Sequence, residues 1–197
     1  VPGIPFEPET FTYQGLEYTT IFIDVNGNGY VDPGDVWLDR NIGAASADPG
    51  AYGADGINAA SIGQMLQYGK PYGATAFDAS YQIDYDAIGE WTVCPEGYAV
   101  PTLDQFNAAI AKVTGVSGNA GITLTLMNSV MKLPIGGWLT NGDTQPQAYG
   151  EAAAYWTSSK GSNTAPWKVD INNSSASNTG ANWADAAWQL PVRCIKK

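Results

Sequence analysis

The sequence predicts an α+β fold: two short helices among several short antiparallel strands, with a long irregular loop region ahead of the final strands. Three observations predict it. A clear helical period occupies residues 103–113, and short β-branched and aromatic runs recur elsewhere. Turn-forming Gly, Asn, Asp and Pro separate those runs without the regular strand–helix alternation of a parallel sheet. With 197 residues, 44% of them apolar, one domain with a real core is expected. Residues 1–12, rich in proline at the start, read as a linker or N-terminal extension left by processing or trimming, with the folded domain over 13–197 and an upstream signal, anchor or domain expected.

Taken in order, residues 18–23 (Tyr-Thr-Thr-Ile-Phe-Ile) read as a strand and residues 36–38 (Val-Trp-Leu) as a second. Between them lies a turn region dense in Asn, Gly and Asp. Residues 44–58 are small and glycine-rich, hence irregular. Asn58 can cap a short helix carrying Ile62, Met65 and Leu66 on one face, ended by Gly69 and Pro71. The clearest helix follows Pro101: Thr102 and Gln105 form a capping box, and Leu103, Phe106, Ile110 and Val113 share a face until Gly115. Short strands are expected over 122–126, 155–158, 167–171 and 190–195, and Trp156 is expected to turn into the core.

Composition excludes several function classes. Nineteen acidic against nine basic residues give a net charge of −10 with no basic stripe, which argues against nucleic acid as a partner. The most apolar stretch, residues 121–139, is interrupted by Thr, Asn, Lys, Pro and Gly, so no direct membrane insertion is expected. Histidine is absent, which removes the commonest general base and zinc ligand. Asp84 and Asp86, near Tyr81 and Tyr85, are the one carboxylate pair that suggests glycosidase chemistry, and such pairs are mostly solvated loop residues.

Two segments carry candidate sites. Asp24, Asn26, Asn28, the carbonyl of Tyr30, Asp32 and Asp35 occupy positions 1, 3, 5, 7, 9 and 12 of a loop with glycine at position 6, the spacing of an EF-hand-type calcium loop. Amides replace two of the usual carboxylates, and Asp35 replaces a bidentate Glu. A structural Ca2+ of modest affinity is therefore expected, with a metal-free Asn-Gly hairpin as the alternative. The second segment, residues 156–188, interleaves tryptophans with many Asn, Ser and Thr and few apolar anchors. Asn163, Trp167, Asn172, Asn173, Ser175, Asn178, Asn182, Trp183 and Asp185 are its candidate ligand-binding residues, since rings can stack on a partner and amides can hydrogen-bond it.

Cys94 precedes Pro95 and Cys194 lies in the terminal apolar segment. A bridge between them and a pair of buried free thiols are both open from the residues alone.

Six motifs stand in order along the chain: Val36-Trp-Leu-Asp-Arg-Asn-Ile-Gly-Ala44, Leu66-Gln-Tyr-Gly69, Cys94-Pro-Glu-Gly-Tyr-Ala-Val-Pro-Thr102, Leu133-Pro-Ile-Gly-Gly137, Tyr155-Trp-Thr-Ser-Ser159 and Pro191-Val-Arg-Cys-Ile-Lys196. Together they resemble those of the Fibrobacter succinogenes major paralogous domain. The resemblance spans residues 13–196. It implies a C-type-lectin-like fold in which the first and last strands pair, a Cys94–Cys194 disulfide, and an extracytoplasmic setting in gut-type bacteria or their phages. The loop over residues 24–35 is an expansion relative to that family. Gln145-Pro-Gln147 and Asn182-Trp-Ala-Asp185 match the calcium-and-sugar triplets of C-type lectins only in part. The Asn and Ser scatter ahead of Leu190-Pro-Val-Arg-Cys194 is also similar to the variable proteins of diversity-generating retroelements. Together these imply a ligand- or receptor-binding domain on a bacterial surface or virion, with a protein or glycan partner. The alternatives are a structural module of a surface or fimbrial assembly and, less favoured, a glycan-active enzyme.

Overall fold

The computed structural model describes residues 4–81, 88–115, 122–140, 142–160, 166–172, 176–177 and 188–197. The chain opens with a hairpin of β1 (Thr10–Tyr13) and β2 (Leu16–Phe22), whose two-residue turn places both Gln14 and Gly15 at positive φ. β1 therefore starts inside the segment expected to be linker. β3 (Val36–Leu38), buried at every position, lies beside β2. β10 (Ile195–Lys196) follows it in the sheet and then β5 (Tyr98–Ala99), giving the antiparallel order β1-β2-β3-β10-β5. A second sheet runs β6 (Ala152–Lys160), β7 (Pro166–Asn172) and β8 (Ala176–Ser177). The short strands β4 (Leu66–Gln67) and β9 (Gln189–Leu190) pair separately. Mostly short antiparallel strands with two α-helices among the described residues make this an α+β fold.

The core is divided by β6, which is buried on both faces. Ala153 and Tyr155 point toward α1 (Leu103–Thr114) and α2 (Ile122–Asn128), joining Trp37, Phe106, Leu126 and Met131. Ala154 and Trp156 point the other way, toward Tyr18, Leu38, Tyr68 and Val192. Trp156 is fully buried as expected, and its Nε1 donates to the Leu66 carbonyl at 2.7 Å. Helix α1 starts with the predicted capping box between Thr102 and Gln105 and ends at Gly115, whose φ of 70° is the left-handed conformation that glycine adopts without strain.

Four expectations are corrected. The helix after Asn58 is only a 3-10 turn, Ala59–Ser61, capped by the Asn58 side chain. Gly63, at φ 79°, runs so close to the Ile42 carbonyl that a Cβ would sit 2.5 Å from it, and Leu66 leaves for the ladder with Leu190. Residues 122–126 are helical, not a strand: packing of Leu126 and Met127 into the core beside α1 overrides their β-prone neighbours. The terminal strand over 190–195 is broken at Pro191, so Leu190 and Ile195 serve different sheets. Finally, the last strand pairs with β3 and β5 and the first with β2. The fully buried β3 takes the place beside β10, and the ends of the domain meet through a Lys196–Glu9 ion pair at 3.1 Å.

Two covalent and polar devices hold the frame. Cys94 and Cys194 form a disulfide with Cα atoms 5.9 Å apart. Arg193 is fully buried, and no carboxylate among the described residues pairs with its guanidinium. Nε donates to Asn41 Oδ1 at 3.0 Å, Nη1 to the carbonyls of Leu38 and Met131 at 2.9 Å, and Nη2 to that of Lys132 at 3.4 Å. Asn41 in turn donates to Ile62 O at 2.9 Å, and Tyr155 Oη donates to Pro134 O at 2.7 Å.

Burial also sets the alkaline limit. It pushes the phenols of Tyr18, Tyr68 and Tyr155 up to about 12, and it lowers Arg193 to about 10. The tyrosines' contribution is intact below the ordinary phenol value near 10 and is lost as pH rises through 12, because the unfolded chain ionises first. Arg193 works in the opposite sense above 10, but it is one group against four phenols, since burial raises Tyr98 to about 12 as well. Denaturant melts at pH 8, 10 and 11.5 are expected to show stability falling above pH 10. A flat profile would contradict this assignment.

Candidate binding face

Strand β7 sorts its side chains by parity. Val169 and Ile171 enter the helix-side core, whereas Lys168, Asp170 and Asn172 lie on the other face, opposite Trp156, Ala154 and Ala152 of β6. Lys168 is mostly buried, and its Nζ lies 2.6 Å from both carboxylate oxygens of Asp170. The same ammonium sits 4.9 Å from the ring centre of Trp188. Trp188 stacks on Trp138, with centroids 6.0 Å apart and planes 6° from parallel.

Backbone pairing places both rings. Trp138 exchanges hydrogen bonds with Gln147, its N donating to Gln147 O at 3.2 Å and its O accepting from Gln147 N at 2.8 Å. Leu139 does the same with Gln189, the residue next to Trp188, at 3.1 and 2.9 Å. This crossing needs Gly137: at φ 70°, a Cβ there would lie 2.1 Å from the Gln147 carbonyl. Gln189 is itself anchored, its amide donating to Thr75 O at 2.6 Å. The Gln147 amide donates to Asp143 and to Thr140 Oγ1, both at 2.8 Å, and donation from Gln147 and from the Thr140 hydroxyl and N–H holds the Asp143 carboxyl below the usual carboxylate range. The result is a cleft of about 180 Å3, bounded on one side by the stacked indole pair, based on Ala152 and the backbone of Ala153 and Ile171, and rimmed by Lys168, Asp170 and Asn172. It adjoins a shallower hollow of about 450 Å3 beside Tyr52 and Tyr149, which Asn172 also borders.

Of the expected ligand-binding residues, Asn172 borders both hollows. Trp167 lies on the opposite parity of β7, with Val169 and Ile171, and the structure does not bring it to the cleft. Asn163, Asn173, Ser175, Asn178, Asn182, Trp183 and Asp185 lie outside the described residues, as do Asp84 and Asp86. Sequence reasoning missed Trp138, Lys168, Asp170 and Trp188 as a group. The alternation in Lys168-Val-Asp-Ile-Asn172 was the available signal for three of the cleft's polar groups. Trp138 is fifty residues from Trp188 and gave none.

The loop over residues 24–35 closes on itself. The amide groups of Asn26 and Asn28 converge on Asp32 Oδ2, at 2.7 and 2.6 Å, and lower the Asp32 carboxyl, Asn26 contributing most. Desolvation works against ionisation at Asp24, but N–H donation from Gly29, Gly27 and Asn28 outweighs it and holds that carboxyl low. Side chains at loop positions 3, 5 and 9 thus gather at one point, and turning the two amides would present oxygens there. Asp35 is buried and differently engaged: its oxygens accept from Val25 N at 3.2 Å and Asp32 N at 3.1 Å, clamping the two ends of the loop. Tyr30 is exposed. Among the described residues no three carboxylate, thiolate or imidazole groups gather as a metal site, so an ion here would depend on amide and carbonyl oxygens. No helix among the described residues is long and apolar enough to cross a membrane.

No family model matches this chain, and no curated protein or solved structure matches it significantly.

Proposed function

We propose that this chain is a C-type-lectin-like recognition domain of the major-paralogous-domain type, presented outside the cytoplasm on a bacterial surface or virion, where it binds a protein or glycan. It acts by binding rather than by catalysis. The observation that carries this reading is the placement of β7 and β9. Both are locked into a frame closed by the disulfide and by Arg193, and the residues that flank the Asn- and Ser-rich stretch 173–187 in sequence, Asn172 and Trp188, both line a cleft with two stacked indoles. A fixed scaffold that brackets a polar, Asn- and Ser-rich segment is also the layout expected of a retroelement-diversified variable protein, which a template repeat and reverse transcriptase beside the gene would support.

The test is an array of bacterial envelope glycans and surface proteins, probed with the full chain in the presence and absence of chelator. The reading predicts saturable binding to at least one component. No binding to any component would contradict it.

Calcium belongs to the same proposal as a structural ion in the loop at residues 24–35. The convergence of Asn26, Asn28 and Asp32 supports it, and its role there is to hold the hairpin between β2 and β3. Adding millimolar Ca2+ to metal-stripped protein is expected to raise the melting temperature by a few degrees, as mass action requires of a ligand bound only by the native state. Asp32→Ala should abolish the rise. An unchanged melting temperature would identify the loop as a metal-free turn.

A further inference from the structure

We propose that the cleft between Trp138, Trp188 and the Lys168–Asp170 pair binds one neutral pyranose ring of a glycan. This deepens the reading above and rests on it.

The size of the cleft comes first. About 180 Å3 is well below the roughly 300–1,000 Å3 of pockets for drug-sized ligands, so it admits one ring-sized group rather than a long chain. Its walls come next. The stacked indole pair along one side and Ala152 at the base favour a flat, partly apolar face, such as the C–H face of a sugar ring. Its polar rim then decides between ligand charges. Lys168 and Asp170 neutralise each other through two 2.6 Å contacts, so the rim offers no net charge to an ionic ligand. An anionic sugar would face Asp170 and a chain of net charge −10, and a cation would compete with Lys168 for the same carboxylate. Neutral hydroxyls suit both groups: they accept from the ammonium and donate to the carboxylate without breaking the pair. The rigid crossing at Gly137 and the Leu139–Gln189 ladder hold these groups before any ligand arrives, which lowers the ordering cost of binding. No metal takes part at this site, in contrast to sugar binding through calcium.

The test is saturation-transfer NMR on the full, disulfide-bonded chain with neutral methyl hexopyranosides (gluco, galacto, manno and fuco forms) and with methyl sialoside as the charged control, each with and without EDTA. Transfer to the ring C–H protons of at least one neutral glycoside, unaffected by EDTA and weaker for the sialoside, is expected. Trp188→Ala should weaken that binding about tenfold or more, with Trp138→Leu as the second variant should the first lose its fold. Absence of transfer to every neutral glycoside, transfer that survives both tryptophan substitutions, or transfer abolished by EDTA would each overturn the proposal. The array separates this outcome from the broader reading: binding to a protein spot alone sinks the sugar cleft and leaves the recognition domain standing, whereas silence on all spots removes both.

Discussion

Replacing Cys94 and Cys194 together with alanine is expected to lower the melting temperature by about 10 °C. The bridge joins residues separated by 100 positions, and loop closure of that length is worth up to about 4.7 kcal/mol in the chain-entropy model. For a domain of this size, each kcal/mol shifts the midpoint by roughly 2–4 °C. The location adds to the effect. Cys194 lies just before β10, whose Ile195 pairs with both Trp37 and Ala99, and the Cys194 carbonyl accepts from Leu38 N at 3.0 Å. Losing the bridge therefore loosens the centre of the five-stranded sheet and not merely its edge. Alanine is the informative replacement, because serine would bury an unpaired hydroxyl at a fully buried position. Calorimetry of oxidised wild type against the double variant checks the figure, and a shift below about 2 °C would contradict it.

Arg193→Met is expected to cost about 3–5 kcal/mol in all, because it strands several buried neutral acceptors at roughly 1–3 kcal/mol each. Replacing buried charged groups with apolar ones is often harmless when every partner is replaced too. Here the partners at Leu38, Met131 and Lys132 are backbone carbonyls, which no substitution can remove, so methionine leaves them unmet. Arg193→Lys keeps the charge but has one nitrogen where the guanidinium spreads three across Asn41, β3 and the turn after α2, and it should recover less than half of the loss. Urea melts of both variants provide the comparison. A methionine variant as stable as wild type would show that the fork is dispensable.

These two devices explain how far the sequence could be read. Local signals were sound where one short stretch decides the outcome: the Thr102–Gln105 box, the stop at Gly115 and the inward turn of Trp156 all follow from neighbouring residues. They failed where a distant partner decides. Leu66 is a strand residue because Leu190 lies opposite it, and residues 122–128 are helical because the layer beside α1 receives them. The same limit applies to the binding face. Asn172 was legible from its polar surroundings, but the cleft that it borders needs Trp138, brought in through Gly137 and the Gln147 pairing, and a contact across fifty residues leaves no local mark. The role of Arg193 was equally silent, since an arginine in a terminal apolar run carries no indication of which carbonyls will surround it.

On the proposed function, labour is divided: the stapled frame supplies stability, and the Asn-rich segment between β7 and β9 would supply recognition. The most direct test is the Asn182→Ala, Trp183→Ala double variant, measured for melting and for binding to whichever envelope component the array identifies. The account predicts a melting temperature within about 2 °C of wild type together with binding weakened by tenfold or more. A melting temperature that falls as far as in the cysteine variant, with binding changed only in proportion to unfolding, would make that segment part of the packing and contradict the account.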